Sequence, residues 1–257
     1  MRMKIISAVV AVIGTLVMSA SAHADQLDTV KESGELSFAL SGAFPPFSYV
    51  DEQNNVVGFD VDIGEEIAHR LGVKAKVVTT AWDGIIAGLL AGKYDTIIGS
   101  MSITPERQKA VDFAGPYYRG GRGVFVPDDS SVQTLDDLKG KTLGVTLGET
   151  SEKWARERGG WDLRTYKGLP ELLLEIQAGR VDAIVTDDIP VLIAIKKQGI
   201  KIRQLDIAEL KGIDNVGIAL RKDNPELLAA INKALDDMKA DGTYETIAKK
   251  WIGRDIR

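Results

Sequence analysis

The chain has 257 residues, with 32 lysines and arginines against 37 aspartates and glutamates, and no cysteine. This acidic balance, with no basic tract, argues against nucleic acid as a partner. The lack of thiols excludes a disulfide framework, a thiolate metal site and a lipid-modified N-terminal cysteine.

The first segment reads as a secretory signal. Arg2 and Lys4 precede an apolar run from Ile5 to Val17, interrupted by Ser7, Gly14 and Thr15, and Ala22-His23-Ala24 has the small-x-small form of a cleavage site. The run is too short for a comfortable membrane span. A signal over 1–24 leaves a mature chain from Asp25 with a formal charge of -7. No later apolar run approaches transmembrane length, so a soluble protein in the periplasm of a two-membraned bacterium is expected. One histidine, His69, then remains. That is too few for a histidine-built metal centre or triad, and no metal or cofactor is expected.

Beyond the signal, β-branched runs alternate with helical periodicity. Strands are predicted at Leu36–Leu40, Ala75–Thr79, Thr96–Gly99, Val124–Val126, Thr142–Thr146, Ala183–Val185 and Gly217–Leu220. Helices are predicted near 60–71, 84–91, 105–111, 151–158, 170–178, 188–197, 225–240 and 243–251. The alternation predicts α/β layers with mostly parallel sheets. In the helix over 60–71, Ile63, Ile67 and Leu71 form the core stripe, four acids from Asp60 to Glu66 suit its N-terminal half, Gly72 stops it, and His69 is a surface residue. The loop 127–131 reads as a surface turn.

Two stretches carry more. Leu90-Ala-Gly-Lys-Tyr-Asp-Thr-Ile-Ile98 is echoed by Gln177-Ala-Gly-Arg-Val-Asp-Ala-Ile-Val185. Each strand is followed by polar residues, Gly99-Ser100 in one and Thr186-Asp187-Asp188 in the other. Two similar units with polar strand ends facing each other would frame a cleft. Thr104 reads as an N-cap with Pro105 at the first helical position. Arg107 then sits in the first turn, where a cation opposes the macrodipole. Either an anion is held there by the guanidinium and the Ser100 and Ser102 hydroxyls, or Arg107 is a solvated residue paired with a nearby acid.

Gly58-Phe-Asp-Val-Asp-Ile-Gly-Glu-Glu-Ile-Ala-His-Arg-Leu71 resembles the signature of the bacterial extracellular solute-binding proteins of family three, the polar amino-acid receptors of ABC importers. The resemblance extends through Phe44-Pro-Pro-Phe47, Trp82-Asp-Gly84, Ser100 to Arg107, Asp112-Phe113, Tyr117-Tyr118, Gly148-Glu-Thr150, Asp187 and the tail from Asp241 to Trp251. It implies an α/β fold of the periplasmic binding protein-like type II: two α/β lobes joined by a two-strand hinge, with the ligand cleft between them. Lobe one would comprise 25–115 and 216–257, lobe two 118–213, and the hinge would lie near 115–120 and 212–217, with Tyr117 and Tyr118 packed there. The signature helix itself is expected to be structural, without ligand contact.

The same resemblance implies that Arg107 clamps the α-carboxylate of a free amino acid, helped by Ser102 and by Thr150, the latter also an N-cap. Asp187 would accept from the α-ammonium, with Ser100 sharing that contact. Phe44 and Trp82 would lie against the ligand. Glu149 would face its distal end, which favours a basic or long polar side chain, while Ser41 stands where basic-ligand relatives often place an Asp. The implied partners are an ABC permease and its ATPase, and the protein is expected to be a monomer. Two rivals remain. One is a cyclohexadienyl or arogenate dehydratase-like enzyme, whose catalytic Glu is matched here by Pro190. The other is a ligand receptor for a sensor protein.

Overall fold

A computed structural model describes residues 25–210 and 214–257; the segment read as a signal peptide lies outside the described residues. Thirteen strands are described: β1 (Glu35–Leu40), β2 (Ala43–Phe44), β3 (Ser48–Val50), β4 (Val56–Val57), β5 (Lys74–Thr79), β6 (Thr96–Ser102), β7 (Val111–Gly120), β8 (Arg122–Pro127), β9 (Thr142–Thr146), β10 (Asp162–Tyr166), β11 (Ala183–Asp187), β12 (Ile202–Gln204) and β13 (Asp214–Arg221). The described helices are α1 (Gln26–Ser33), α2 (Phe59–Leu71), α3 (Ile85–Leu90), α4 (Pro105–Ala110), α5 (Thr150–Arg158), α6 (Leu169–Gln177), α7 (Asp188–Gln198), α8 (Pro225–Asp241) and α9 (Thr243–Trp251).

Two five-stranded sheets have the orders β5-β1-β6-β13-β7 and β10-β9-β11-β8-β12, and a small third sheet joins β2, β3 and β4. The strands of the internal repeat, β6 and β11, are the central strands of the two large sheets. The expectation of mostly parallel sheets holds for strand direction, with one reversed strand in each large sheet. In each large sheet four strands run the same way and one, β13 in the first and β8 in the second, runs against them. The reason is where the chain crosses. β8 begins beside the end of β11, with Arg122 opposite Asp187, and β13 begins beside the end of β6, with Val216 opposite Ser102. A strand that enters a sheet at the end where its neighbours finish must run against them.

Alternation builds the core. Leu36, Phe38, Leu40 and Ile98 face a cluster that includes Phe59, Ile63 and Ile67 of α2, whereas Ala39, Ile97 and Met101 face Ile85 and Leu89 of α3. Each large apolar side chain removed from water this way contributes about 1.5–3 kcal/mol. Helix α2 ends at Gly72 in the left-handed conformation, as its sequence predicts, and His69 is exposed. An aromatic group of Phe47, Phe59, Tyr117 and Tyr118 packs where β7 approaches the second sheet. β7 and β13 stay paired as far as Gly120 and Asp214, and the chain passes into β8 two residues after Gly120. No described helix is long and apolar enough to cross a membrane.

Candidate functional site

The carboxyl ends of β6 and β11 meet across a partly closed cavity. β6 contributes Ser100 and Ser102, β11 contributes Asp187, and the first turn of α4 contributes Arg107. The loop from β9 into α5 adds Thr146, Glu149 and Thr150. Ser41, Phe44 and Trp82 come from the first half of the chain. All nine residues singled out in the sequence therefore line one cavity. Ala43, Gly99, Thr146, Lys167 and Gly168 line it too and were not foreseen.

The cavity is closed by contacts between the halves. Arg107 Nη2 donates to the Gly148 carbonyl at 3.4 Å, and Lys153 of α5 pairs with Glu106 of α4. Gly168 lies so near Ala43 that a Cβ there would sit 2.8 Å from the Ala43 Cβ.

Arg107 is held as a fork. Its backbone N–H donates to Thr104 Oγ1 (3.2 Å), its Nη1 donates to the Ser102 carbonyl (2.9 Å), and its guanidinium carbon lies 5.8 Å from the centre of the Trp82 ring. Burial pushes its pKa down, and Glu149, Asp187 and Asp214 oppose that. Of the two sequence alternatives for Arg107, the pairing with a nearby acid is not found: among the described residues the side chain has no ion pair, and its hydrogen bonds go to carbonyls. Trp82 thus already carries a cation on its ring, which the sequence did not indicate. Trp82 also forms a single 3-10 turn ending at Gly84 ahead of α3.

Two carboxyl groups face this one half-buried guanidinium. The Asp187 pKa is raised above the usual carboxylate range, first by burial and then by Asp214, with Arg122 and Arg107 pulling it back. The Glu149 pKa is raised by burial and by repulsion from Asp187, against the pull of Arg107 and Arg122. Among the described residues no hydrogen bond or ion pair ties the Asp187 side chain. Thr150 is not the N-cap expected of it; Glu149 occupies that position, and α5 starts at Thr150 without a side-chain cap. Ser41 Oγ accepts from the Ala43 N–H at 3.2 Å. Phe44 is buried and packs on Phe47 at 5.5 Å, so it serves core and cavity together.

Ser100 has φ +60°, a conformation few residues other than glycine adopt. Its N–H donates to Tyr117 Oη (2.9 Å) and its hydroxyl to Asp60 Oδ2 (2.8 Å), while the Tyr117 hydroxyl donates to Asp60 Oδ1 (2.6 Å). Asp60 is fully buried, which pushes its carboxyl up to about 7 against those two hydrogen bonds. The sequence placed Asp60 only as a helix-start acid. No local signal separates a solvated first-turn carboxylate from one turned inward beneath a strand.

Residues 36–254 match the model of the bacterial extracellular solute-binding proteins, family 3. The chain is 37% identical over 244 residues to the L-cystine-binding protein TcyJ of Escherichia coli strain K12, covering 93% of this chain and 91% of that one. It is 41% identical to an ancestral arginine-binding protein solved with arginine, with a TM-score of 0.80, covering 86% of this chain and 99% of the other. It is 36% identical to the ancestral amino acid-binding protein AncCDT-1, a precursor of cyclohexadienyl dehydratase, with a TM-score of 0.82 over 88% of this chain and 99% of that one. The match spans both five-stranded sheets and every strand end that frames the cavity, so this chain belongs to the bacterial extracellular solute-binding proteins of family 3.

Proposed function

We propose that this protein is the periplasmic substrate-binding component of an amino-acid ABC importer, which captures a free amino acid by closing two lobes around it. The observation that carries this reading is the meeting of Arg107 and Asp187 in one cavity, each contributed by a different half of the molecule. An amino acid taken out of water must have both head-group charges paired. A guanidinium matches the carboxylate with two parallel hydrogen bonds, and an ionised Asp is purely an acceptor for the ammonium. Ser102 and Thr150 add hydroxyls on the carboxylate side, Ser100 lies on the ammonium side, and Phe44, Trp82 and Ser41 flank the remainder.

Lobe one is assigned to 25–115 and 216–257, lobe two to 118–213, with the hinge near 115–120 and 212–217. Ligand binds the closed form better because only there do both charges act together, and the population shifts by that difference. A permease with its ATPase would read the closed shape of the monomer, and the signal segment would deliver the chain to the periplasm. The relatives' binding names and the family support this role. No bond is made or broken. Pro190, at the position where the dehydratase reading needs an acid, is buried in α7 and carries no proton.

Calorimetry on mature protein refolded free of ligand tests this. At least one amino acid should bind, and Arg107→Ala should weaken it by about 30-fold to a few thousand-fold, the range for truncating one partner of a buried charge pair. A folded Arg107→Ala protein that loses less than a few-fold defeats the assignment. Product formed from prephenate or arogenate above a protein-free control would replace binding with catalysis.

A further inference from the structure

The cavity wall holds more charges than a simple zwitterion needs. Arg107 and Asp187 account for the two head-group charges, and Glu149 is left over together with Lys167 at the rim. Among the described residues no cation forms an ion pair with Glu149. Arg122 on β8 is engaged with Asp214 of β13, Asp188 of α7 accepts from the Gly121 N–H, Glu152 on α5 pairs with Arg156, and Lys167 is exposed at the rim. Glu149 is therefore either matched by a second cation on the ligand or neutral.

We propose that Glu149 is the specificity-determining residue and that its proton decides the class of ligand: ionised, it pairs with the distal cation of a basic amino acid, and protonated, it hydrogen-bonds an uncharged polar side chain. This rests on the amino-acid-binding reading above. Desolvation of the half-buried Glu149 carboxyl, with Asp187 nearby, raises its pKa and makes the exchange accessible near neutral pH. The signs follow by linkage. Arginine binding selects the ionised form, so it releases a proton wherever the free site holds one, and arginine affinity climbs with pH. Glutamine binding selects the protonated form, so it takes up a proton wherever the free site lacks one, and glutamine affinity falls with pH. The preference for arginine over glutamine should widen with pH in the interval between the two complexes' titrations, by at most about tenfold per unit for a single proton.

The test is calorimetry with arginine and glutamine on the wild type, Glu149→Gln and Glu149→Asp between pH 5.5 and 8.5, in buffers of different ionisation enthalpy. In the wild type the arginine-to-glutamine ratio should rise at least tenfold across the range, with opposite proton counts for the two ligands. Glu149→Gln should flatten the ratio and weaken arginine by about 30-fold or more at pH 8.5, as expected for removal of one member of a buried charge pair. It should leave glutamine within about threefold at pH 5.5, and Glu149→Asp should restore the pH dependence. Binding that persists with a pH-independent ratio, or with a ratio unchanged in Glu149→Gln, overturns the role of Glu149 and leaves the amino-acid reading standing. Failure of every amino acid to bind the wild type overturns both. Tighter binding of glutamate than of either ligand, paired with Lys167, also overturns it.

Discussion

Asp60 shows how one residue shapes the cavity without lining it. Its carboxyl holds Ser100 through the hydroxyl and, by way of Tyr117, through the backbone N–H, in a conformation that Ser100 would not keep unaided. The folded state raises this acid to about 7, above the ordinary aspartate value of 3.8, so the folded protein binds the proton more tightly than the unfolded chain. Its contribution to stability is therefore greatest in acid and declines as pH rises from about 4 to about 7. Asn copies the neutral acid in shape and does not titrate. Between pH 4.5 and 8, denaturant titrations should show Asp60→Asn gaining at least about 1 kcal/mol on the wild type, each pKa unit being worth about 1.4 kcal/mol. A constant difference would mean that Asp60 keeps one charge state throughout.

At the scale of elements, Gly64 sits in the middle of α2 because the helix lies directly on Phe38: a Cβ there would fall 2.5 Å from the ring. Helix propensity alone favours alanine by up to about 1 kcal/mol. Overpacking costs about 1–3 kcal/mol and should win, so Gly64→Ala should lower the melting temperature. An unchanged or raised melting temperature would show that α2 slides without cost. The sequence revealed all eight helices with strong apolar periodicity or clear caps, and it revealed the strands rich in β-branched residues. It missed α1, whose short polar run buries only Gln26 and Val30. It missed the first half of β7, placing only the stretch near 115–120 as a hinge strand, and it missed the half-exposed β10 and three-residue β12. The cavity residues were legible where a motif carried them, as at Arg107 and Asp187. Lys167 and Gly168 were not, because they reach the cavity only through the docking of one half on the other.

That docking is a property of the whole molecule. Gly168 has an extended backbone (φ −172°), so a side chain there is tolerated by the strand-to-helix turn itself; what it would strike is Ala43 in the opposite half. Gly168→Val should therefore leave the melting temperature of the ligand-free protein nearly unchanged while preventing full closure. Amino-acid affinity should fall at least about tenfold, equivalent to about 1.4 kcal/mol of lost closed-state preference. Full affinity in this variant would mean that binding does not require the halves to meet at Ala43.

The Glu106–Lys153 pair joins the halves at the surface, with both side chains more than half exposed. In a chain devoid of native thiols, these two positions offer an address for chemistry that will react nowhere else. Cysteines introduced there would accept a donor and an acceptor dye without background labelling, turning the separation of the two halves into an optical signal readable one molecule at a time.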